Sequence, residues 1–226
     1  QQIKEDVDGK RVLISGSGNV ATHAAEKVLQ LGGKPITLSD SGGFIECSDG
    51  LTQEQIDWIK ELKDVRRGRI SEAADEFANI NFHADKRPWG VGADLAVPSA
   101  TQNEINGDDA AAMIKNGIQL VAEAANMPCE QKAVDAFIDA GVNFGPAKAV
   151  NAGGVGVSGL EMSQNSARIA WDEKQLADML QSMMKNIHDS CVEYGEESGG
   201  KVNYLRGANI AGFVKVAEAM LSYGHV

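Results

Sequence analysis

The chain has 226 residues, of which 43% are hydrophobic, and a formal net charge of −11. An acidic chain provides no basic field for a phosphate backbone, which argues against nucleic-acid binding. No apolar run reaches the roughly 18 residues needed to span a bilayer, and the polar first ten residues contain no signal-peptide core, so we expect a cytoplasmic protein with no membrane partner.

The most informative segment is a strand, a glycine-rich turn and a helix in direct succession. Arg11–Ser15 has the apolar run of a buried strand, and Asn19–Leu31 has helical apolar spacing. Between them, Gly16 and Gly18 followed by Ala21 form the Gly-x-Gly-x-x-Ala version of the dinucleotide-binding fingerprint. The glycines allow a tight turn and close approach of a pyrophosphate, which the amides at the helix N-terminus bind.

The first two thirds of the chain continue to alternate strand and helix patterns. The second strand is predicted at Lys34–Ser39, before a turn and a small hairpin around Phe44–Glu46. A capping box at Thr52 predicts a helix to about Lys63. The remaining predicted elements are strands at 81–83, 94–98, 119–123 and 142–144 and helices at 71–77, 108–116 and 130–140.

Short apolar strands separated by helices predict an α/β fold with a doubly wound, Rossmann-type, mainly parallel sheet. From Val155 onward the pattern is helical, with a long helix capped by Asp172 and a last helix at about Asn209–Tyr223. We therefore predict one dinucleotide-binding domain over residues 1–226. It comprises a lead-in (1–10), a Rossmann core (11–150) and a mostly helical C-terminal part (151–226).

Two signals bear on the choice of cofactor, and they point in opposite directions. Asp40 lies about 20 residues beyond the glycine turn, where an acidic residue binds the ribose hydroxyls of NAD. Ser39 and Ser41 flank it, however, and the basic cluster of residues 63–69 could bind the 2′-phosphate of NADP. The same cluster is also typical of a solvated helix end, so composition alone leaves both interpretations open.

Further along the chain, an ordered set of motifs resembles the cofactor-binding domain of hexameric bacterial glutamate dehydrogenases. The resemblance covers nearly the whole chain from Lys10 and is carried by residues 86–89, 98–103, 123–128, 148–155, 158–165 and 207–213. One departure is Ala124, where the family commonly has glycine.

The resemblance implies a role for each matching position. The pyrophosphate would be held by Gly16, Ser17, Gly18, Asn19 and Val20, and the pattern of Ser39, Asp40, Ser41, Lys63 and Arg66 is similar to that of NADP-preferring members. NADP is therefore the expected cofactor, with NAD possible. The ribose and nicotinamide contacts would come from Ala100, Thr101, Gln102, Ala124, Ala125, Asn126 and Asn151, and Val155 and Ser158 would reach the substrate.

By the same resemblance, the parent enzyme would be a homohexamer that oxidatively deaminates L-glutamate to 2-oxoglutarate. The family's catalytic lysine and aspartate lie in a preceding substrate domain, which is absent here, so we expect no catalytic residue in this chain. We interpret the chain as an excised or truncated domain that binds cofactor without turnover. The alternatives are the cofactor domain of a branched-chain or aromatic amino-acid dehydrogenase, or a non-catalytic nucleotide-binding module.

Cysteine and histidine content adds two further expectations. Three widely spaced cysteines argue against a disulfide framework and fit a reducing compartment. The four histidines are scattered, with no spacing that suggests a metal site.

Overall fold

The computed structural model of the protein describes residues 6–224, so the first five residues of the predicted lead-in lie outside the described part. Contacts divide the chain into two compact units, Gln1–Asn143 and Phe144–Val226. The strands are β1 (Arg11–Ile14), β2 (Lys34–Pro35), β3 (Thr37–Asp40), β4 (Gly43–Glu46), β5 (Asn81–Ala84), β6 (Leu95–Val97), β7 (Leu120–Ala122) and β8 (Asn143–Gly145).

The helices follow the predicted order. In the first unit they are α1 (Asn19–Gln30), α2 (Gln53–Glu61), α3 (Glu72–Glu76), α4 (Gly107–Lys115) and α5 (Gln131–Asp139), with a π-helical turn at Leu62–Arg66 and a 3₁₀ turn at Pro88–Gly90. In the second unit they are α6 (Ala147–Val150), α7 (Ala152–Ala167), α8 (Glu173–Gly195) and α9 (Tyr204–Tyr223).

The main sheet has five strands in the order β2-β1-β6-β7-β8, and β1 pairs in parallel with both β2 and β6. A separate antiparallel sheet contains β3, β4 and β5. The predicted α/β class with a mainly parallel sheet is confirmed. Because β1 lies between β2 and β6, the turn that follows it faces loops from both neighbours, which is where such sheets bind ligands.

The predicted continuous strand at Lys34–Ser39 is wrong, because Ile36 separates β2 from β3. The Thr37 hydroxyl accepts a hydrogen bond from the Ile14 amide and donates one to the Ile14 carbonyl, each 3.0 Å long. At Ile14 a side chain thus takes the place of the backbone hydrogen bonds between β1 and the second strand. Beyond this point, β3 pairs with β4.

The face that α1 turns toward the core also differs from the prediction. The apolar spacing of the sequence predicts Val20, Ala24, Val28 and Leu31 on this face, but Val20 and Leu31 are 51% and 49% exposed. Val28 is buried as predicted, and the other buried positions are Ala21, Thr22 and Ala25. These mostly small residues allow the helix to approach β1 closely, as the small residue at the end of the fingerprint requires.

In the second unit, α8 and α9 cross at glycines. A Cβ atom at Gly207 would lie 2.0 Å from the carbonyl oxygen of Cys191, and one at Gly195 would lie 2.4 Å from that of Asn203. At these two positions the backbones therefore approach each other with no side chain between them. Within the described residues, no helix is both long and apolar enough to cross a membrane.

We predict that Gly207→Ala lowers the free energy of unfolding by about 2 kcal/mol or more, because its methyl group overlaps the backbone of α8. Gly212→Ala is the matched control on the same helix, since a Cβ there meets nothing within 4 Å. It should stabilise the protein by about 0.5–1 kcal/mol. Urea unfolding followed by circular dichroism compares them, and equal stabilities would contradict the proposed crossing.

Candidate functional site

A cleft of about 530 Å³ opens at the carboxyl end of β1. It brings together the fingerprint turn, the end of β3 and the loop after β6, all within the first unit. The lining residues are Gly16, Ser17, Gly18, Asn19, Val20, Ser39, Asp40, Ser41, Lys86, Arg87, Pro88, Ser99, Ala100, Thr101 and Glu104.

The fingerprint turn has the geometry that an anion site requires. Gly16 has φ +82°, and a Cβ atom there would lie 3.1 Å from the Ala100 Cα. Gly18 is the N-cap of α1, and no side chain caps the helix. Nothing lies within 4 Å of the position that a Gly18 Cβ would occupy. The amides of the first helical turn are therefore accessible to an anionic ligand, which the helix dipole also favours.

Ser39 holds the turn on one side. Its hydroxyl accepts a hydrogen bond from the Gly16 amide at 2.8 Å, and its amide donates to the Gly16 carbonyl at 2.9 Å. Ser39 is buried, whereas Ser41 is exposed. The two predicted serines therefore differ: Ser39 fixes the turn, and Ser41 offers its side chain to the cleft.

Asp40 is committed to protein partners. One oxygen accepts from the Gly42 amide at 2.9 Å, and the other accepts from the Ile70 amide at 3.0 Å and from Lys63 Nζ at 3.3 Å. Burial alone would raise the pKa of Asp40, but these hydrogen bonds outweigh it and hold the pKa below its usual value. The lowered pKa favours the ionised carboxylate, with which Lys63 forms an ion pair.

The basic cluster contains residues that bond to cleft-lining side chains and a residue that contacts side chains elsewhere. Lys63 donates to Asp40 and to the Gly68 carbonyl, and Arg69 Nη1 donates to the Ser41 hydroxyl at 2.8 Å. Arg66 instead lies 4.5 Å from the Trp58 ring centroid and pairs with Glu61 at 3.7 Å. Arg69 was not predicted as a site residue, although it belongs to the cluster.

The other predicted residues of the first unit lie in two neighbouring loops. Ala100 and Thr101 line the cleft, and Gln102 is exposed beside them. The amides of Ala124 and Ala125 donate to the Pro98 carbonyl at 3.1 and 2.9 Å, which places the loop after β7 against the end of β6. Asn126 follows directly and is exposed.

The other predicted residues belong to the second unit. Asn151 precedes α7, and Val155 and Ser158 lie on that helix, where Val155 is 77% exposed and Ser158 is exposed. The described part of the chain contains no cluster of three histidine, cysteine or acidic side chains able to hold a metal.

Four residues that line the cleft were not predicted as site residues: Lys86, Arg87, Pro88 and Glu104. Residues 86–88 nevertheless belong to one of the motifs that carry the family resemblance.

Comparison with known proteins gives one consistent result. The sequence model of the family described as Glutamate/Leucine/Phenylalanine/Valine dehydrogenase matches residues 1–224. A glutamate dehydrogenase of Bacteroides thetaiotaomicron is 52% identical over 221 residues, which are 98% of this chain and 50% of that protein. An NAD(P)-specific glutamate dehydrogenase of Xylanibacter ruminicola is 51% identical over 97% of this chain and 49% of its own length.

Among solved structures, glutamate dehydrogenase 2 of Plasmodium falciparum matches with a TM-score of 0.94 and 39% identity. The match covers 99% of this chain and 49% of that one. The chain therefore spans about half the length of the relatives that it matches.

The partners of Asp40 generate a stability prediction. We expect Asp40→Asn to lower the free energy of unfolding at pH 7 by about 1–3 kcal/mol, because charged hydrogen bonds to Lys63 and two amides are weakened. The pKa of Asp40 is depressed in the folded state, so its contribution is present above the pKa of an ordinary aspartate and is lost as the pH falls through the folded value.

The difference in the free energy of unfolding between the unmodified protein and Asp40→Asn should therefore become smaller on acidification. Denaturant unfolding at a series of pH values measures it. Asp178→Asn, at an exposed position on α8, is the control and should change stability little at any pH. A constant difference across the series would argue against the ionised carboxylate as the cause.

Proposed function

Because the chain belongs to the Glutamate/Leucine/Phenylalanine/Valine dehydrogenase family, we propose that it is the nicotinamide-dinucleotide-binding domain of a glutamate dehydrogenase. The observation that carries the proposal is the cleft at the end of β1. There a glycine turn, an uncapped helix N-terminus and the loops of two neighbouring strands converge. This arrangement fits a pyrophosphate with one nucleoside on each side of it.

Glutamate is the proposed substrate because the relatives of 51% and 52% identity both carry the name glutamate dehydrogenase. A bound nicotinamide dinucleotide would supply the hydride acceptor for oxidation of glutamate at its α-carbon, and this chain would bind and orient the dinucleotide. Ser158, an exposed hydroxyl on α7, suits the side-chain carboxylate of glutamate better than the apolar side chain of a branched-chain substrate. Val155 would contact the same substrate.

We further propose that this chain binds cofactor but does not turn over glutamate. It spans half the length of its relatives, and the resemblance places the catalytic lysine and aspartate in the other half. The homohexamer implied by the resemblance stays a prediction. The three cysteines, Cys47, Cys129 and Cys191, are buried and free, which supports the proposed cytoplasmic location.

NADP is the preferred cofactor in this proposal, and NAD is also accepted. The Ser41 hydroxyl, Arg69 and Lys63 place hydrogen-bond donors and positive charge at the end of β3, where the adenosine ribose would lie. Acceptance of NAD agrees with the name of the NAD(P)-specific relative. The proposed cofactor contacts are Gly16, Ser17, Gly18, Asn19, Val20, Ser39, Asp40, Ser41, Lys63, Arg69, Ala100, Thr101, Gln102, Ala124, Ala125, Asn126 and Asn151. Arg66, which the resemblance also implied, is left out because its guanidinium contacts Trp58 and Glu61.

Calorimetric titration of the 226-residue chain tests the proposed function. We expect binding of both NADPH and NADH, with NADPH the tighter, because only NADPH brings a 2′-phosphate to the basic residues. The same preparation should show no oxidation of glutamate in the presence of NADP⁺. Failure to bind either dinucleotide would refute the binding function, and robust turnover would refute the assignment of the catalytic groups to another part of the enzyme.

A second prediction locates the phosphate contact. Arg69→Ala should weaken NADPH binding about tenfold, as expected for one lost charged hydrogen bond, and leave NADH binding unchanged. Arg66→Ala is the matched control, because that guanidinium contacts Trp58 and Glu61. A large selective loss in the Arg66 variant, with none in the Arg69 variant, would transfer the role to Arg66. Equal losses for NADPH and NADH would remove the phosphate assignment.

A further inference from the structure

Glu104 lies in the loop after β6, lines the cleft and is half-buried. One carboxylate oxygen, Oε1, accepts three hydrogen bonds: from the Ser15 hydroxyl at 2.9 Å, the Ala100 amide at 3.1 Å and the Thr101 amide at 3.3 Å. Two of the donors are backbone amides of the loop, and the third is the last residue before the fingerprint turn. A single oxygen atom thus joins two walls of the cleft.

Ser15 completes the connection. Its side chain is fully buried, and its hydroxyl oxygen also accepts from the Ser99 amide at 2.9 Å. The Ser15 hydroxyl therefore accepts a hydrogen bond from the Ser99 amide and donates one to the Glu104 carboxylate. That carboxylate in turn accepts hydrogen bonds from the next two loop amides. Three consecutive amides, at residues 99–101, are fixed relative to the end of β1 by these two side chains.

The backbone of Glu104 is held independently of its side chain. Arg87 Nη1 donates to the Glu104 carbonyl at 2.9 Å, and Nη2 of the same guanidinium pairs with Asp109 at 3.1 Å. The next residue, Ile105, forms an isolated parallel bridge with Cys129 in the loop after β7. The carboxylate is therefore presented from a fixed base, which suits it to position the more exposed residues Ala100 and Thr101.

The sheet order indicates which part of a dinucleotide this loop would affect. β2 and β6 lie on opposite sides of β1. Ser39, Asp40 and Ser41 follow the β2 side, where the adenosine ribose is proposed to lie. In the proposed binding mode, the loop after β6 would therefore face the part of the ligand beyond the pyrophosphate, which is the nicotinamide half.

We propose that Glu104 is a positioning residue: it holds the 99–101 loop against the fingerprint turn and thereby sets the affinity of the cleft for the nicotinamide half of the dinucleotide. This inference rests on the proposed dinucleotide-binding function. This role does not require a negative charge on Glu104. Burial raises the pKa of its carboxyl, which disfavours the charged form, and a negative charge would not attract an anionic ligand. The requirement is a hydrogen-bond acceptor at Oε1, which a glutamine amide oxygen also supplies.

The test compares Glu104→Ala, Glu104→Gln and, as control, Glu76→Ala at an exposed position on α3. Calorimetry measures binding of NADPH and of adenosine 2′,5′-bisphosphate, which lacks the nicotinamide half. The alanine variant should bind NADPH about tenfold more weakly and the bisphosphate less than about twofold more weakly. The glutamine variant should retain both affinities. Unchanged NADPH binding by the alanine variant, or equal losses for both ligands, would overturn the proposal.

Amide hydrogen exchange provides a readout that does not depend on cofactor. The Ala100 and Thr101 amides should exchange faster in Glu104→Ala than in the unmodified and Glu104→Gln proteins, while the amides of β1 remain protected. Unmodified protein that binds neither NADPH nor NADH contradicts the proposed function, and exchange at residues 100 and 101 then still decides the positioning role. Exchange rates unaffected by the alanine substitution would overturn that role.

Discussion

The cleft depends on how the carboxyl end of β1 is held once regular strand pairing stops. Backbone amides and carbonyls buried at that point still need hydrogen-bond partners. Hydroxyl groups provide them on both sides: Thr37 bonds to Ile14, Ser39 to Gly16, and Ser15 to the Ser99 amide. Each of these side chains is short and buried, so its hydrogen bond fixes one backbone segment relative to another. The glycine turn is therefore held in one conformation, while the N-terminus of α1 remains uncapped and accessible.

These hydroxyls also mark the limit of what the sequence could predict about the fold. Alternating apolar runs, the glycine turn and the capping box at Thr52 are local signals, and the structure confirms the elements they predict. The break between β2 and β3 depends on a contact between residues that are distant in sequence. Thr37 has the β-branched side chain of an ordinary strand residue, and its role depends on Ile14, which is 23 positions away. The exposed face of α1 was misjudged for a similar reason, since the closeness of its approach to β1 selects small residues over larger apolar ones.

The site residues follow the same division between local and distant signals. The fingerprint could be found because its glycines and helix start are adjacent in sequence. Arg69, which bonds to Ser41, could not be found in this way. The α2 helix changes to a π-helical turn at Leu62–Arg66, and the turn ends at Arg67, which has φ +57°. These irregularities alter the direction of the side chains that follow. The structure brings Arg69 to Ser41, whereas the family resemblance singled out Arg66. Glu104 gave no signal at all, because only the folded loop brings it to Ser15.

Asp40 shows why a position-based rule for cofactor choice can fail. An acidic residue at the end of the second strand favours NAD when its oxygens are available to the ribose hydroxyls and its charge is available to repel a phosphate. Here both oxygens accept bonds from protein groups, and Lys63 lies 3.3 Å from one of them. The carboxylate thus acts as an acceptor that orders the Gly42 and Ile70 amides and holds Lys63 in an ion pair. An aspartate engaged in this way organises the positive charge around it, and its presence is compatible with the NADP preference we propose.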